Sequence, residues 1–263
     1  MMRKILYLLL FILFATCKQE TDNKKFVVVK DEKGNVESEI NYINDTLMHG
    51  LAKYYYKNGN LKVETYYDSG LKNGWHRRYY EDGKIKSKIS FKKGLLEGAS
   101  QWYFPNGKVS EEANWINNKP FGNSIFYYEN GSVKTYNCFD FQEHNRYLIK
   151  YDINGQKIKE EGTVLGQLLY EVNLDSIPVN KPWIVKVSVA VPPNTKVNVI
   201  LGKLVKSELK EITLLPVENN MVIYQETFLV KGKYTLITIG EIKDKQGFVL
   251  KRDSIRTDVI VVD

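Results

Sequence analysis

Residues 54–63 read Tyr-Tyr-Tyr-Lys-Asn-Gly-Asn-Leu-Lys-Val, and variants of this stretch return every 24 residues along the middle of the chain. A fixed period of this length indicates stacked copies of one supersecondary unit, each burying its surface against its neighbours. The positions that keep the period are Gly59, Gly83, Gly107, Gly131 and Gly155; Gly50, Gly74, Gly98 and Gly122; and Tyr55, Tyr79, Tyr103, Tyr127 and Tyr151.

Each copy predicts a β-hairpin, because Asn-Gly or Asp-Gly between alternating strands favours a tight type I′ turn. A two-residue loop at Asn58-Gly59 would place Tyr56 opposite Leu61, Tyr54 opposite Val63, and Ala52 opposite Thr65. Such aromatic–aliphatic pairs contribute roughly 0.2–1 kcal/mol each. The equivalent turns are Asn58-Gly59, Asp82-Gly83, Asn106-Gly107, Asn130-Gly131 and Asn154-Gly155, with Lys33-Gly34 as a degenerate sixth copy.

The predicted fold class is all-β. Residues 26–163 are expected to form an elongated, single-layer antiparallel sheet, with one apolar face that ends at the polar fifth copy. The segments between hairpins are six residues long, which predicts a row of similar loops along one edge. They are Asn44–His49, Asp68–Asn73, Lys92–Glu97, Ile116–Phe121 and Asp140–Asn145.

The periodic residues of about 34–163 resemble the variant MORN repeats of bacterial proteins, which include an antitoxin-like group. The resemblance implies single-layer twisted sheets used for binding. It also implies an alternative function, in which the protein neutralises a cognate toxin by direct binding.

One periodic set is a candidate binding site. Alternation places these tyrosines on the face opposite the apolar pairs, among charged neighbours such as Lys53 and Glu64. Two interpretations stay open: an exposed aromatic row that binds sugar, peptide or peptidoglycan strands, or a structural ladder of rings packed on one another and on lysine stems. The set is Tyr55, Tyr79, Tyr103, Tyr127 and Tyr151.

The period ends near residue 163, and residues 164–263 predict a separate domain. Trp183, Val185, Val187 and Val189 alternate on one face of a single strand. About seven such strands without helix signals favour an immunoglobulin-like β-sandwich, although the usual cysteine pair is missing. Tyr234 after a glycine is only faintly similar to a tyrosine corner.

The N-terminus has the features of a bacterial lipoprotein signal. Arg3 and Lys4 precede the apolar run Ile5–Phe14, which is too short to span a membrane and suits a signal peptide over residues 1–16. Phe14-Ala15-Thr16-Cys17 resembles a lipobox, which implies lipidation of Cys17. Two or more acyl chains would anchor the protein firmly to a membrane.

Residues 17–25 are polar and predict a flexible tether behind the lipid. An aspartate after the cysteine would imply retention in the inner membrane; Lys18 stands there, so the resemblance implies the outer membrane. The start Lys18-Gln19-Glu20 is similar to surface-export signals of Bacteroidetes lipoproteins. This resemblance implies that the protein is exposed on the cell surface.

The charge distribution argues against a nucleic-acid-binding protein, and the cysteine content argues against a fold held by an intramolecular disulfide. The formal net charge of +7 is spread thinly along the chain, with both signs interspersed, whereas a nucleic-acid binder needs a concentrated basic stripe. If Cys17 is acylated, Cys138 has no disulfide partner and is expected to be a half-buried apolar residue.

Nothing in the sequence predicts an enzyme, a metal site or a cofactor. His49, His76 and His144 occupy different positions in the repeat, so they build no ring of ligands. Glu111 and Glu112 are adjacent on a strand and point to opposite faces, which makes them poor partners for acid–base chemistry. The expectation is a non-catalytic, membrane-anchored binding or scaffold module whose envelope protein or glycan ligand is unidentified.

Overall fold

The computed structural model describes residues 24–170, 173–205 and 208–263. Within these residues the chain forms β-strands and no helix, as the repeat pattern predicts. Residues 1–23, which hold the predicted signal peptide and Cys17, lie outside the described part.

The repeats form one twelve-stranded antiparallel sheet in which each strand pairs with the next along the chain. This confirms the predicted elongated sheet of hairpins. Its strands are β1 (Lys24–Lys30), β2 (Val36–Ile43), β3 (Leu47–Tyr55), β4 (Leu61–Asp68), β5 (Leu71–Tyr79), β6 (Ile85–Lys92), β7 (Leu95–Tyr103), β8 (Val109–Ile116), β9 (Lys119–Tyr127), β10 (Val133–Phe139), β11 (Asn145–Tyr151) and β12 (Lys157–Gly162).

The Asn-Gly turns differ from the predicted type I′ form. The amide of Gly59 donates to the carbonyl of Tyr56 at 2.9 Å, and the amide of Tyr56 donates to the carbonyl of Asn60 at 2.8 Å. Only Gly59 has positive φ, at 85°. This is a three-residue loop with a glycine bulge. The side chain of Asn58 accepts from the amide of Asn60 at 2.9 Å, which holds the turn without positive φ at Asn58.

The wider loop changes the pairing near the turn only. Tyr55 pairs with Leu61, so the predicted pair of Tyr56 with Leu61 is wrong. A second bulge beside Tyr55 restores the register, and the predicted pairs Tyr54–Val63 and Ala52–Thr65 are both confirmed.

The opposite edge of the sheet carries the two-residue turns. Ser69 and Gly70 have φ of 48° and 84°, and they join Asp68 to Leu71 directly. The segments predicted as six-residue loops are therefore mostly strand in three cases, Asp68–Asn73, Lys92–Glu97 and Ile116–Phe121, and half strand in Asn44–His49. The strand residues that follow this turn form a bulge. Three residues of one strand, Asn73, Gly74 and Trp75, lie opposite the single residue Tyr66 of its neighbour. Gly74 has φ of 102°, which explains the second periodic glycine series.

The face that carries the predicted apolar pairs is named here the aromatic face. Its middle rows hold small side chains that are buried although the sheet is a single layer, such as Ala52 and Ser100, each 1 % exposed. Large half-buried side chains from the same and neighbouring rows cover them. These are Tyr54, Tyr67, Phe91, Trp102 and Trp115.

The C-terminal strands form two further sheets. Three strands pair in the order β13-β15-β18, and five in the order β14-β20-β19-β16-β17, with β14 parallel to β20. The strands are β13 (Leu165–Tyr170), β14 (Ile177–Pro178), β15 (Pro182–Val189), β16 (Lys196–Val205), β17 (Glu208–Leu215), β18 (Met221–Thr227), β19 (Gly232–Lys243) and β20 (Val249–Val262).

This strand order matches an immunoglobulin-like sandwich. Trp183, Val185, Val187 and Val189 are fully buried in its core, as their alternation predicts. Tyr234 lies near the start of β19 and donates its hydroxyl to the carbonyl of Val230 at 2.7 Å. That contact has the geometry of a tyrosine corner, which the sequence only faintly indicated.

The sandwich packs on strands β9–β11 of the repeat sheet, against the face opposite the aromatic face. Ile125, Tyr136 and Ile149 form a buried cluster there with Ala190 and Ile242. Tyr136 accepts a hydrogen bond from the amide of Val191 at 2.7 Å and donates to Asn123 at 2.7 Å. The aromatic face of the same three strands therefore points away from the sandwich.

Cys138 lies inside this interface. It is 3 % exposed, more deeply buried than predicted, and burial raises the pKa of its thiol to about 12. Since the thiolate is the reactive form, Cys138 is expected to be inert while the two domains are packed together.

Replacing Gly162 with alanine tests the close packing of β12 on β11 at the end of the repeat sheet. The added Cβ would lie 1.9 Å from the carbonyl oxygen of Arg146, at a φ of 100°. Gly155 is the matched control, because its φ is 82° and nothing lies within 4 Å of the added atom. Denaturant unfolding should show a loss of about 1 kcal/mol for Gly155→Ala and a further 1–3 kcal/mol, roughly, for Gly162→Ala. Equal losses of stability in the two variants would contradict the close approach of Gly162 to the carbonyl of Arg146.

Candidate functional site

The five periodic tyrosines lie on the face opposite the aromatic face, which is named here the ladder face. All five are half-buried. Tyr55 donates its hydroxyl to Glu39 at 2.9 Å, Tyr79 to Glu64 at 2.9 Å, and Tyr127 to Glu112 at 2.8 Å. Each of these bonds joins a tyrosine to a carboxylate of the preceding strands.

Two copies depart from that pattern. Lys88 occupies the position that Glu64 and Glu112 hold in other copies, so Tyr103 donates instead to Gln101 at 2.9 Å. The other departing copy is the fifth, in which burial is the main cause that raises the pKa of Tyr151.

A row of polar side chains supports the tyrosines. Lys53, Glu64, Arg77, Lys88, Gln101 and Glu112 stand side by side across six strands. Arg77 donates to Glu64 at 2.6 Å, and Gln101 donates to Glu112 at 2.7 Å. Burial would raise the pKa of Glu64, but the hydrogen bonds from Arg77 and Tyr79 outweigh it and lower that pKa.

The hydroxyl of Tyr79 is fixed in this network. Burial, followed by the hydrogen bond to Glu64, raises the pKa of Tyr79 to about 12. Four of the five hydroxyls are thus engaged inside the sheet, which is the geometry of the structural ladder. That the five tyrosines bind a ligand stays a prediction.

Replacing Tyr79 with phenylalanine tests the ladder. The loss of a partly exposed, charge-assisted hydrogen bond should lower the free energy of unfolding by about 1 kcal/mol at pH 7. The hydrogen bonds hold the pKa of Glu64 below its ordinary value, so the contribution is present well above the ordinary pKa of a glutamate and disappears as the pH falls through the lowered value.

The matched control is Tyr66→Phe, since Tyr66 lies on the same face and is 45 % exposed. Denaturant unfolding at pH 7 and pH 3 gives the comparison. If both variants lose the same stability, or the loss in Tyr79→Phe is independent of pH, the ladder interpretation is wrong.

A second tyrosine series joins neighbouring hairpins, and the sequence analysis missed it. Tyr56 donates its hydroxyl to the carbonyl of Tyr79 at 2.7 Å, and Tyr80 donates to the carbonyl of Tyr103 at 2.7 Å. Lys62 lies over the ring of Tyr56 with its Nζ 5.6 Å from the centroid. The signal for this series was the second aromatic residue of each copy, which keeps the 24-residue spacing.

The aromatic face carries an open groove across strands β8–β11, bounded by Phe104 just after β7. Its volume is about 700 Å³. Three of these strands, β9–β11, have their other face covered by the sandwich. Aromatic, acidic, basic and amide side chains line it, among them Phe104, Glu111, Phe126, Lys134, Asn137 and Lys150.

Glu111 is the acidic group of this groove. It pairs across the strands with Trp102 on one side and Phe126 on the other. Burial raises the pKa of its carboxyl group. No hydrogen bond or ion pair from the described residues reaches that carboxylate. Its neighbour Glu112 points to the ladder face, as predicted for adjacent residues of a strand.

The described residues hold no group of three or more histidine, cysteine or acidic side chains that could bind a metal ion. His76 lies against Thr65, and burial, followed by the charges of Lys72 and Arg78, lowers its pKa to about 4. No helix among residues 24–170, 173–205 and 208–263 is long and apolar enough to cross a membrane.

Comparison with known proteins identifies the repeats. The MORN repeat variant family matches residues 48–69, 72–93 and 96–117. These three consecutive matches coincide with the central copies of the hairpin unit. No curated protein matches the chain.

Among solved structures, the chain is similar to one from Corynebacterium diphtheriae that is described as a membrane-anchored protein. The sequence identity is 13 %, the alignment covers 91 % of this chain and 53 % of that one, and the TM-score is 0.26. The chain thus spans about half the length of that protein, and a TM-score this low is no evidence for a shared fold.

Proposed function

We propose that this chain is a non-catalytic binding and scaffold module of the bacterial cell envelope, anchored to the outer membrane through lipid on Cys17. The observation that carries the proposal is the open groove on the aromatic face, opposite the packed sandwich. One side of β9–β11 is committed to internal packing, and the other side presents aromatic and charged side chains to the surroundings.

The architecture supports display of this surface. The repeat sheet pairs continuously from β1 to β12, and hydrogen bonds from the second tyrosine series tie its hairpins together. Preorganised side chains lose little conformational entropy when a ligand binds. A sheet tied together in this way is therefore suited to presenting a preorganised binding surface.

Two features support binding without chemistry. His49, His76 and His144 lie on or beside different strands of the sheet. Glu111 has aromatic cross-strand neighbours in place of a second carboxylate. Paired acid–base catalysis needs two titratable groups on one face.

Membrane fractionation tests the anchor. Full-length protein should sediment with membranes, resist extraction by high salt and be released by detergent. The variant Cys17→Ser should leave the membrane fraction, because a lipid anchor depends on that one side chain. The same distribution for both proteins would contradict the lipid anchor.

Cross-linked capture from the native membranes tests binding. The wild type is compared with the double variant Tyr79→Ser/Tyr103→Ser, whose folding is checked by circular dichroism. A partner that is lost in the folded double variant would assign binding to the tyrosine row. A partner that both retain would assign it to another surface, such as the groove. Capture of a toxic protein, with neutralisation of its toxicity, would favour the antitoxin alternative.

A further inference from the structure

We propose that the groove on the aromatic face binds a polysaccharide strand that carries acidic groups, with Glu111 accepting hydrogen bonds from its hydroxyls. This inference rests on the proposed binding function and specifies its ligand class. Four features carry it: the line of side chains across the strands, the aromatic rings beside Glu111, the unpaired carboxylate, and the basic rim.

The first feature is a continuous line of side chains that crosses the strands. Neighbouring strands lie about 4.8 Å apart, so seven strands give a line of about 29 Å. A chain ligand can follow this line along the length of the sheet. In order from β5 to β11, the side chains are Arg78, Ser87, Trp102, Glu111, Phe126, Thr135 and Lys150.

The second feature is the placement of aromatic rings. Trp102 and Phe126 stand on either side of Glu111, two strands apart, and Phe126 is 37 % exposed. A sugar ring has an apolar C–H face that packs on an aromatic ring, and hydroxyl groups around its edge. Aromatic contacts combined with a few polar groups are the usual composition of such a site.

The third feature is the carboxylate itself. Glu111 is half-buried, and no described residue donates to it. A carboxylate only accepts hydrogen bonds, and a partly buried one gains from donors that replace lost water. The hydroxyls of a sugar whose apolar face packs on Phe126 would supply those donors.

The fourth feature is the charge of the rim. Lys134 and Lys150 line the groove, and exposed Arg78 lies at the other end of the line. Two cations that line the groove with Glu111, and a third at the far end of the line, disfavour a cationic ligand such as an amine-bearing polymer. They complement carboxylates on a sugar chain, as in a polyuronate.

Affinity electrophoresis of the full-length protein in detergent tests the proposal. The gels contain alginate (a polyuronate), a neutral dextran, or chitosan (an amine-bearing polymer). Alginate should retard the wild type most, and the retardation should weaken with added salt because the rim charges are screened. Phe126→Ala should lower the alginate affinity by roughly tenfold, since a stacking surface is removed.

Two further variants separate the roles. Glu111→Gln keeps the shape and should lower the alginate affinity severalfold, because a charged acceptor becomes neutral. Tyr66→Ala is the matched control, with an exposed ring on the opposite face, and should bind as the wild type does. Circular dichroism confirms the fold of each variant.

Three results would overturn the proposal: no retardation by alginate, equal retardation of the wild type and Phe126→Ala, or preference for chitosan that Glu111→Gln abolishes. The last result would assign the groove to cationic ligands. The failure of this inference is distinguishable from failure of the binding function. If the wild type and Phe126→Ala capture the same protein partner equally, the proposed binding function is supported. The assignment of a polysaccharide to the groove is then withdrawn.

Discussion

A glycine with positive φ in alternate strands fixes the register of the repeat sheet. At Gly74 three residues of β5 lie opposite one residue of β4, and the same bulge recurs at Gly50, Gly98 and Gly122. A residue with a Cβ is strained in this conformation. Because the bulge returns every 24 residues, equivalent side chains meet in straight rows across the strands, and both faces of the sheet follow from this alignment.

The ladder face and the aromatic face have different roles in the structure. On the ladder face, carboxylates accept from tyrosine hydroxyls, and toward the C-terminal end the polar row gives way to Ile125, Tyr136 and Ile149, where the sandwich packs. On the aromatic face, small side chains are buried beneath large ones, so a single layer has its own thin core. The groove lies on this face beside Glu111 and Phe126. A polar network on one face thus leaves the other exposed for the binding that we propose.

Much of the fold could be predicted, because period and alternation depend on local chemistry. The sequence correctly predicts the strand order of the repeat sheet and the pairs of Tyr54 with Val63 and Ala52 with Thr65. It also predicts the alternating buried side chains from Trp183 to Val189. The turn type was wrong because the side chain of Asn58 caps its own turn, a competition between local hydrogen bonds that a dipeptide signal does not resolve. The bulge at Gly74 was hidden for a similar reason, since its extra residues resemble a loop.

The site was less predictable. The tyrosine period was visible, but the carboxylates that engage the hydroxyls lie about 15 residues away, on the preceding strands. The burial of Glu111 could not be predicted, because it depends on Trp102 and Phe126 on the two neighbouring strands and on a register that only the folded sheet provides. The position of the sandwich depends on long-range contacts such as Asn123 with Asn220, for which the sequence gives no signal.

The central claim is that the aromatic face is the recognition surface and that the ladder face is structural. Hydroxyl-radical footprinting of the protein in its own membranes and after purification tests it most directly. The account predicts that Trp102 and Phe126 are protected in the membranes, while Tyr66 and Trp75 of the ladder face react equally in both samples. Protection of Tyr66 and Trp75 with unchanged reactivity of Trp102 and Phe126 would contradict it.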